Sequence, residues 1–155
     1  MHYKLNLRDI REKNHLSQKE VANIINIDRT LYTKYENGYE LIPIKHLICF
    51  SNYFNSSIDY IFDLNFSSHL KADFNKSINL SIIGSRLKEF RKEHHLTQKK
   101  LAEVLNTNKS VICNYEKGRY LIATPFLYQL CYQYHVSADY LLGKIDKIKI
   151  PISSK

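Results

Sequence analysis

Apolar residues along the first sixty positions recur in short bursts at helical spacing. Leu7 and Ile10 lie three apart, and Val21, Ala22, Ile24 and Ile25 share one face, so each stretch predicts a short amphipathic helix. Ser17 stands where its hydroxyl can accept from the free N–H groups of the second helix. Asn26 tolerates the left-handed conformation that ends a helix, and two residues on Asp28 can cap a third. In that third helix Tyr32 and Tyr35 face one way while Arg29, Thr30, Thr33 and Lys34 face the other, until Gly38 stops it. A fourth helix is predicted over about 44–54, and Ser57 caps a fifth containing Tyr60 and Ile61. Only three residues separate the second and third helical patterns, and the small Ala22 lets their axes approach. The local prediction is helix, tight turn, helix.

The same pattern then returns. Shifting the chain against itself by 80 residues aligns 3–64 with 83–144 without a gap, and 17 of the 62 pairs are identical. Thr97 takes the place of Ser17, Asn108 that of Asp28, and the third helix of the second copy carries Ile112 and Tyr115 inward with Lys109, Ser110, Cys113 and Asn114 outward. A fourth helix over about 124–134 and a fifth after Ser137 complete the copy. The fold expected is all-α: two tandem five-helix domains, 1–64 and 83–144, with a Ser- and Asn-rich linker 65–82 between them and a basic tail 145–155. Alternation at Tyr3, Leu5 and Leu7, at Ile78, Leu80 and Ile82, and at Ile148, Ile150 and Ile152 leaves room for short β-strands at the linker and termini.

Composition narrows the function classes. No apolar run reaches the roughly 20 residues that cross a bilayer, and the N-terminus lacks a signal peptide's apolar core, so a cytoplasmic protein with no membrane partner is expected. Cys49, Cys113 and Cys131 form no Cys-x-x-Cys pair and the seven His are scattered, which argues for reduced thiols and against a metal or other cofactor. No stretch combines a nucleophile with its base, or supplies a phosphate-binding loop, and a non-enzymatic role follows. The net charge of +8 calls for a polyanionic partner. That charge is uneven: residues 1–64 hold 8 Lys+Arg against 8 Asp+Glu, whereas residues 83–155 hold 13 against 6.

The order Arg11, Leu16-Ser17-Gln18, Ala22, Asn26, Tyr35-Glu36-Asn37-Gly38 and Ser57-x-Asp59-Tyr60, met again as Arg91, Leu96-Thr97-Gln98, Ala102, Tyr115-Glu116-Lys117-Gly118 and Ser137-x-Asp139-Tyr140, resembles the helix-turn-helix domain of the lambda-repressor/Cro type. The resemblance covers about 120 of the 155 residues. It departs from the common pattern at His15, His95, Asn26 and Asn106, where many members carry Gly; His and Asn accept positive φ better than most residues.

The resemblance implies a binder of double-stranded DNA that places the third helix of each domain in the major groove. Arg29, Thr30, Thr33, Lys34, Lys109, Ser110, Cys113 and Asn114 would then face base edges, and Gln18, Gln98, Lys99, Lys117 and Arg119 would bond phosphates. Arg11 with Glu36, and Arg91 with Glu116, would be structural ion pairs rather than a catalytic acid and base, and Tyr35 and Tyr115 core residues rather than stacking platforms. The function expected is a sequence-specific transcriptional regulator of a bacterial or phage genome, acting as a repressor. Taken as flexible, the 18-residue linker spans roughly 23 Å, enough for successive grooves. The neutral first copy leaves other roles open, including homodimerisation or a regulatory protein partner. The alternative is an antitoxin or inhibitor whose DNA binding serves only to control its own operon.

Overall fold

The computed structural model describes residues 3, 5–64 and 77–146. Among the described residues the regular structure is helical. The first domain comprises α1 (Leu7–Lys13), α2 (Gln18–Ile24), α3 (Arg29–Glu36), α4 (Ile44–Phe54) and α5 (Ile58–Ile61). The second comprises α6 (Leu80–Glu93), α7 (Gln98–Val104), α8 (Lys109–Glu116), α9 (Thr124–Tyr134) and α10 (Ala138–Leu141). The apolar faces meet as the periodicity requires: Leu7, Val21, Tyr32, Leu47 and Ile61 are fully buried in one domain, and Leu101, Ile112, Leu127 and Leu130 in the other.

Each break between helices has a local cause. Ser17 accepts from the Glu20 N–H while Glu20 returns to the Ser17 N–H, a capping box, and Asp28 accepts from Leu31. In the second domain the Thr97 hydroxyl accepts from the Lys100 N–H, without the return bond of the capping box, and Asn108 accepts from Val111. The chain turns through left-handed backbone at His15 (φ 56°), Asn26 (φ 58°), His95 (φ 53°) and Asn106 (φ 52°), so the residues standing for the usual glycine keep its conformation.

The two copies part at their entrances. The alternating run at 78–82 enters a helix, because half-buried Leu80 with buried Ile83, Leu87 and Phe90 falls at spacings of three and four, and the Asn79 side chain accepts from the Ser81 and Ile82 N–H groups. Helix α6 is therefore 14 residues long against 7 for α1. Its first turns lie on the end of α8 so closely that a Cβ at Gly84 would stand 2.6 Å from the Tyr115 and Glu116 carbonyl oxygens. Tyr3 and Leu5 form no strand, and the run Ile148, Ile150 and Ile152 lies outside the described residues, as does most of the linker. At the other end packing continues past residue 144: Ile145 is buried and its carbonyl accepts from Arg86.

The domains do not hang on the linker; they dock. Helices α5 and α10 meet at their N-termini, and one apolar core runs through both copies. Asp59 accepts from the Ala138 N–H (2.6 Å) and the Ser137 hydroxyl, while Asp139 accepts from the Ile58 N–H (3.1 Å) and the Asp59 N–H (2.9 Å). Around this clasp the Thr124 hydroxyl donates to the Ile42 carbonyl, Tyr128 packs edge-on against Phe62 and Tyr3, and buried Lys144 donates to the Ser51 hydroxyl and the Asn52 side chain. The interface, rather than the reach of a flexible linker, sets the spacing of the two domains.

Candidate nucleic-acid interface

In each domain the third helix is held by an arginine–glutamate pair. Arg11 donates from Nε and Nη2 to the two carboxylate oxygens of Glu36, both at 2.8 Å, and from Nη1 to the Leu16 carbonyl. Arg91 does the same to Glu116 and to the Leu96 carbonyl. Two parallel bonds fix the angle between helices as well as their distance, since the guanidinium and carboxylate planes must align. Burial pushes the Glu36 carboxyl up, but hydrogen bonds from Arg11, Gln18 and Arg8 outweigh it and hold the group at about 2. The same pairing raises Arg91 above its ordinary value, through the hydrogen bond to Glu116.

The glutamine that opens the second helix joins this pair. Gln18 Nε2 donates to Glu36 at 3.2 Å and Gln98 Nε2 to Glu116 at 2.8 Å. An amide nitrogen carries two hydrogens, so each glutamine is oriented by one and keeps a second. In the first domain the Thr33 hydroxyl lies 3.0 Å from Gln18 Oε1, which extends the linkage from α1 to the outer face of α3. Cys113 occupies the corresponding place in α8 and is half-buried.

The outer faces of the two third helices differ in chemistry. Arg29, Thr30 and Lys34 are exposed on α3, but the Lys34 ammonium is paired with Glu40 at 2.9 Å. Near the start of α2 the carboxylate of Glu20 folds back on Ser17, leaving negative charge where helix N–H groups emerge. In the second domain Lys100 stands in place of Glu20 and Tyr120 in place of Glu40. Lys99, Lys109, Ser110, Lys117 and Arg119 are all exposed there, around the starts of α7 and α8 and the end of α8, and Arg119 donates to the Asn114 side-chain oxygen at 3.1 Å. Tyr35 is buried beside the His46 ring, and Tyr115, half-buried, lies edge-on to Phe126. Sequence reading assigned no role to Arg8, which adds a bond to Glu36 at 3.1 Å, or to the docking carboxylates Asp59 and Asp139.

No described helix is long and apolar enough to cross a membrane. Residues 7–61 match one helix-turn-helix family model and residues 84–147 match a second, described as a helix-turn-helix domain. The chain is 45% identical over 67 residues to the HTH-type transcriptional regulator ImmR of Bacillus subtilis, covering 43% of this chain and 53% of that protein. It is 30% identical over 71 residues to the antitoxin PezA of Streptococcus pneumoniae, covering 46% and 44% respectively. The chain thus spans about half the length of these relatives. Among solved structures it is similar to the restriction-modification controller protein C.AhdI of Aeromonas hydrophila, at 24% identity and a TM-score of 0.37, covering 40% of this chain and 94% of that one. With both matched segments carrying the same caps, turns and arginine–glutamate pair, the chain belongs to the lambda-repressor/Cro-type helix-turn-helix family and holds two of its domains in tandem.

Proposed function

We propose that this chain is a sequence-specific regulator of transcription, a repressor that reads double-stranded DNA in the major groove with α3 and α8, the second domain supplying most of the affinity. The observation that carries the reading is the contrast at the motif faces. Around α7 and α8 five cationic side chains, Lys99, Lys100, Lys109, Lys117 and Arg119, lie exposed, only Lys100 of the five being ion-paired among the described residues, to Glu103 at 3.1 Å, whereas around α2 and α3 Glu20 and Glu40 offset Lys19 and Lys34. Phosphate contacts supply most non-specific affinity, so the domain with the larger excess of cations gains most from a duplex. Gln18 and Gln98, each with one amide hydrogen spent on a glutamate, are oriented to give the other to a phosphate. Lys109 and Arg29 can donate to guanine, and Asn114, once Arg119 turns to a phosphate, can pair with adenine. Similarity to the antitoxin PezA supports a second reading, in which the charge-neutral face of the first domain serves a protein partner and DNA binding controls the chain's own operon.

The test is affinity for a selected duplex as a function of salt, for the native chain, for Lys109→Ala with Asn114→Ala, and for Arg29→Ala with Lys34→Ala. Loss of preference in the α8 variant with a smaller loss in the α3 variant is expected. Unchanged sequence preference in both variants would refute readout by the third helices. Complete indifference to the α3 variant would favour the partner-binding reading of the first domain.

A further inference from the structure

We propose that the DNA taken by this chain is an imperfect inverted repeat, read by one chain rather than two. The inference rests on the proposal that α3 and α8 enter the groove, and it adds the symmetry and stoichiometry of the ligand. A duplication at a fixed offset of 80 residues does not set the relation between copies in space. Copies stacked by translation would read a direct repeat, and copies related by a two-fold axis an inverted one.

The docking contacts decide between them. Positions 58 and 59 of the first copy correspond to 138 and 139 of the second. The Ile58 N–H donates to Asp139, and the Ala138 N–H donates to Asp59: the same contact with the copies exchanged. Only a two-fold relation returns a contact in this way; a translation would leave one member of each pair facing outward. The neighbouring packing agrees. Phe62 meets Tyr128, and the exchanged positions, Leu142 and Ile48, are both buried; Thr124 bonds to Ile42, and the exchanged positions, Ile44 and Ile122, are both buried.

The axis that carries α5 onto α10 also carries α3 onto α8, so the two reading helices lie at equal height along it and are related by the same two-fold. A duplex that meets both in the same way must itself be nearly two-fold, which means half-sites in inverted orientation. The half-sites are unequal, because Arg29, Thr30, Thr33 and Lys34 face Lys109, Ser110, Cys113 and Asn114 at the corresponding positions, with no identity among the four. The self-complementary face is spent within the chain, since Asp59 at 8% exposure and Asp139 at 1% are enclosed by the other domain. A second copy cannot use that face without opening the first.

The experiment is selection of duplexes from a random double-stranded library by the full chain, followed by binding to paired probes that carry the recovered half-sites inverted or direct at the same spacing. Stoichiometry is read by native mass spectrometry. Expected are at least tenfold tighter binding to the inverted probe, one chain per duplex, and half-site-specific changes in the recovered sequence: one half altered by Arg29→Ala with Lys34→Ala, the other by Lys109→Ala with Asn114→Ala. Equal or better binding to the direct repeat, or two chains on each inverted repeat, overturns the inference while DNA reading stands. Recovery of no preferred sequence overturns both.

Discussion

Replacing Asp59 by Asn should remove a pH dependence built into the domain interface. The Asp59 carboxyl is 8% exposed, sits against the ionisable Asp139, and accepts from Ser137 and Ala138. Burial pushes its pKa up from 3.8, the neighbouring Asp139 charge pushes it further, and the two hydrogen bonds oppose them, with a net value of about 7. The folded chain therefore holds a proton between pH 3.8 and about 7 that the unfolded chain releases, and unfolding free energy falls as pH rises through that window. At about 1.4 kcal/mol for each pH decade, the full displacement amounts to on the order of 4 kcal/mol. Asn copies the size of the protonated carboxyl, keeps an acceptor for Ala138 and cannot ionise. The variant should already exceed the native chain by about 2 kcal/mol at pH 5.5 and by about 4 kcal/mol at pH 9, the gap widening by about 2 kcal/mol across this range. Urea denaturation from pH 5.5 to 9 reads the difference. Glu36 acts with opposite sign, its contribution being present above 4.5 and lost only as pH falls toward about 2, so this window leaves it untouched. Parallel pH curves for the two proteins, or a variant less stable at pH 9, would refute the account of Asp59 as a carboxyl that keeps its proton in the folded clasp.

Two further substitutions separate the domains. Arg91→Ala leaves Glu116, whose side chain is 3% exposed, with a remaining hydrogen bond from the uncharged Gln98, and should cost about 3–5 kcal/mol in chemical denaturation; Arg11→Ala should cost less, because Glu36 keeps Arg8. An equal loss for the two variants would count against that difference. Gly84→Ala would gain about 1 kcal/mol of helix propensity but drives a methyl against two backbone oxygens at 2.6 Å, so a net loss of about 1–3 kcal/mol and a lowered melting temperature are expected. A variant as stable as the native chain would show that α6 and α8 can separate freely.

What could be read from the chain alone follows the range of the forces involved. Caps at Ser17, Asp28, Thr97 and Asn108, and left-handed turns at His15 and Asn26, depend on a residue and its next three or four neighbours, so local chemistry was enough to place them. The Arg11–Glu36 pair was legible only through the family resemblance, since 25 residues separate its members. Alternation at Ile78, Leu80 and Ile82 misled toward a strand because three residues satisfy either period; the helix emerges when Leu80, Ile83, Leu87 and Phe90 are taken together against α8. Asp59 and Asp139 were visible as a repeated Ser-x-Asp-Tyr motif, yet nothing near them in sequence says that each serves the other copy. A carboxylate beside a serine cap looks like a local device, and only docking turns it outward to the N-terminus of the opposite helix. An identity between repeats reports that both copies use a residue, not whether they use it on themselves or on each other. Here they use it on each other, and that exchange converts a head-to-tail duplication in sequence into a two-fold object in space.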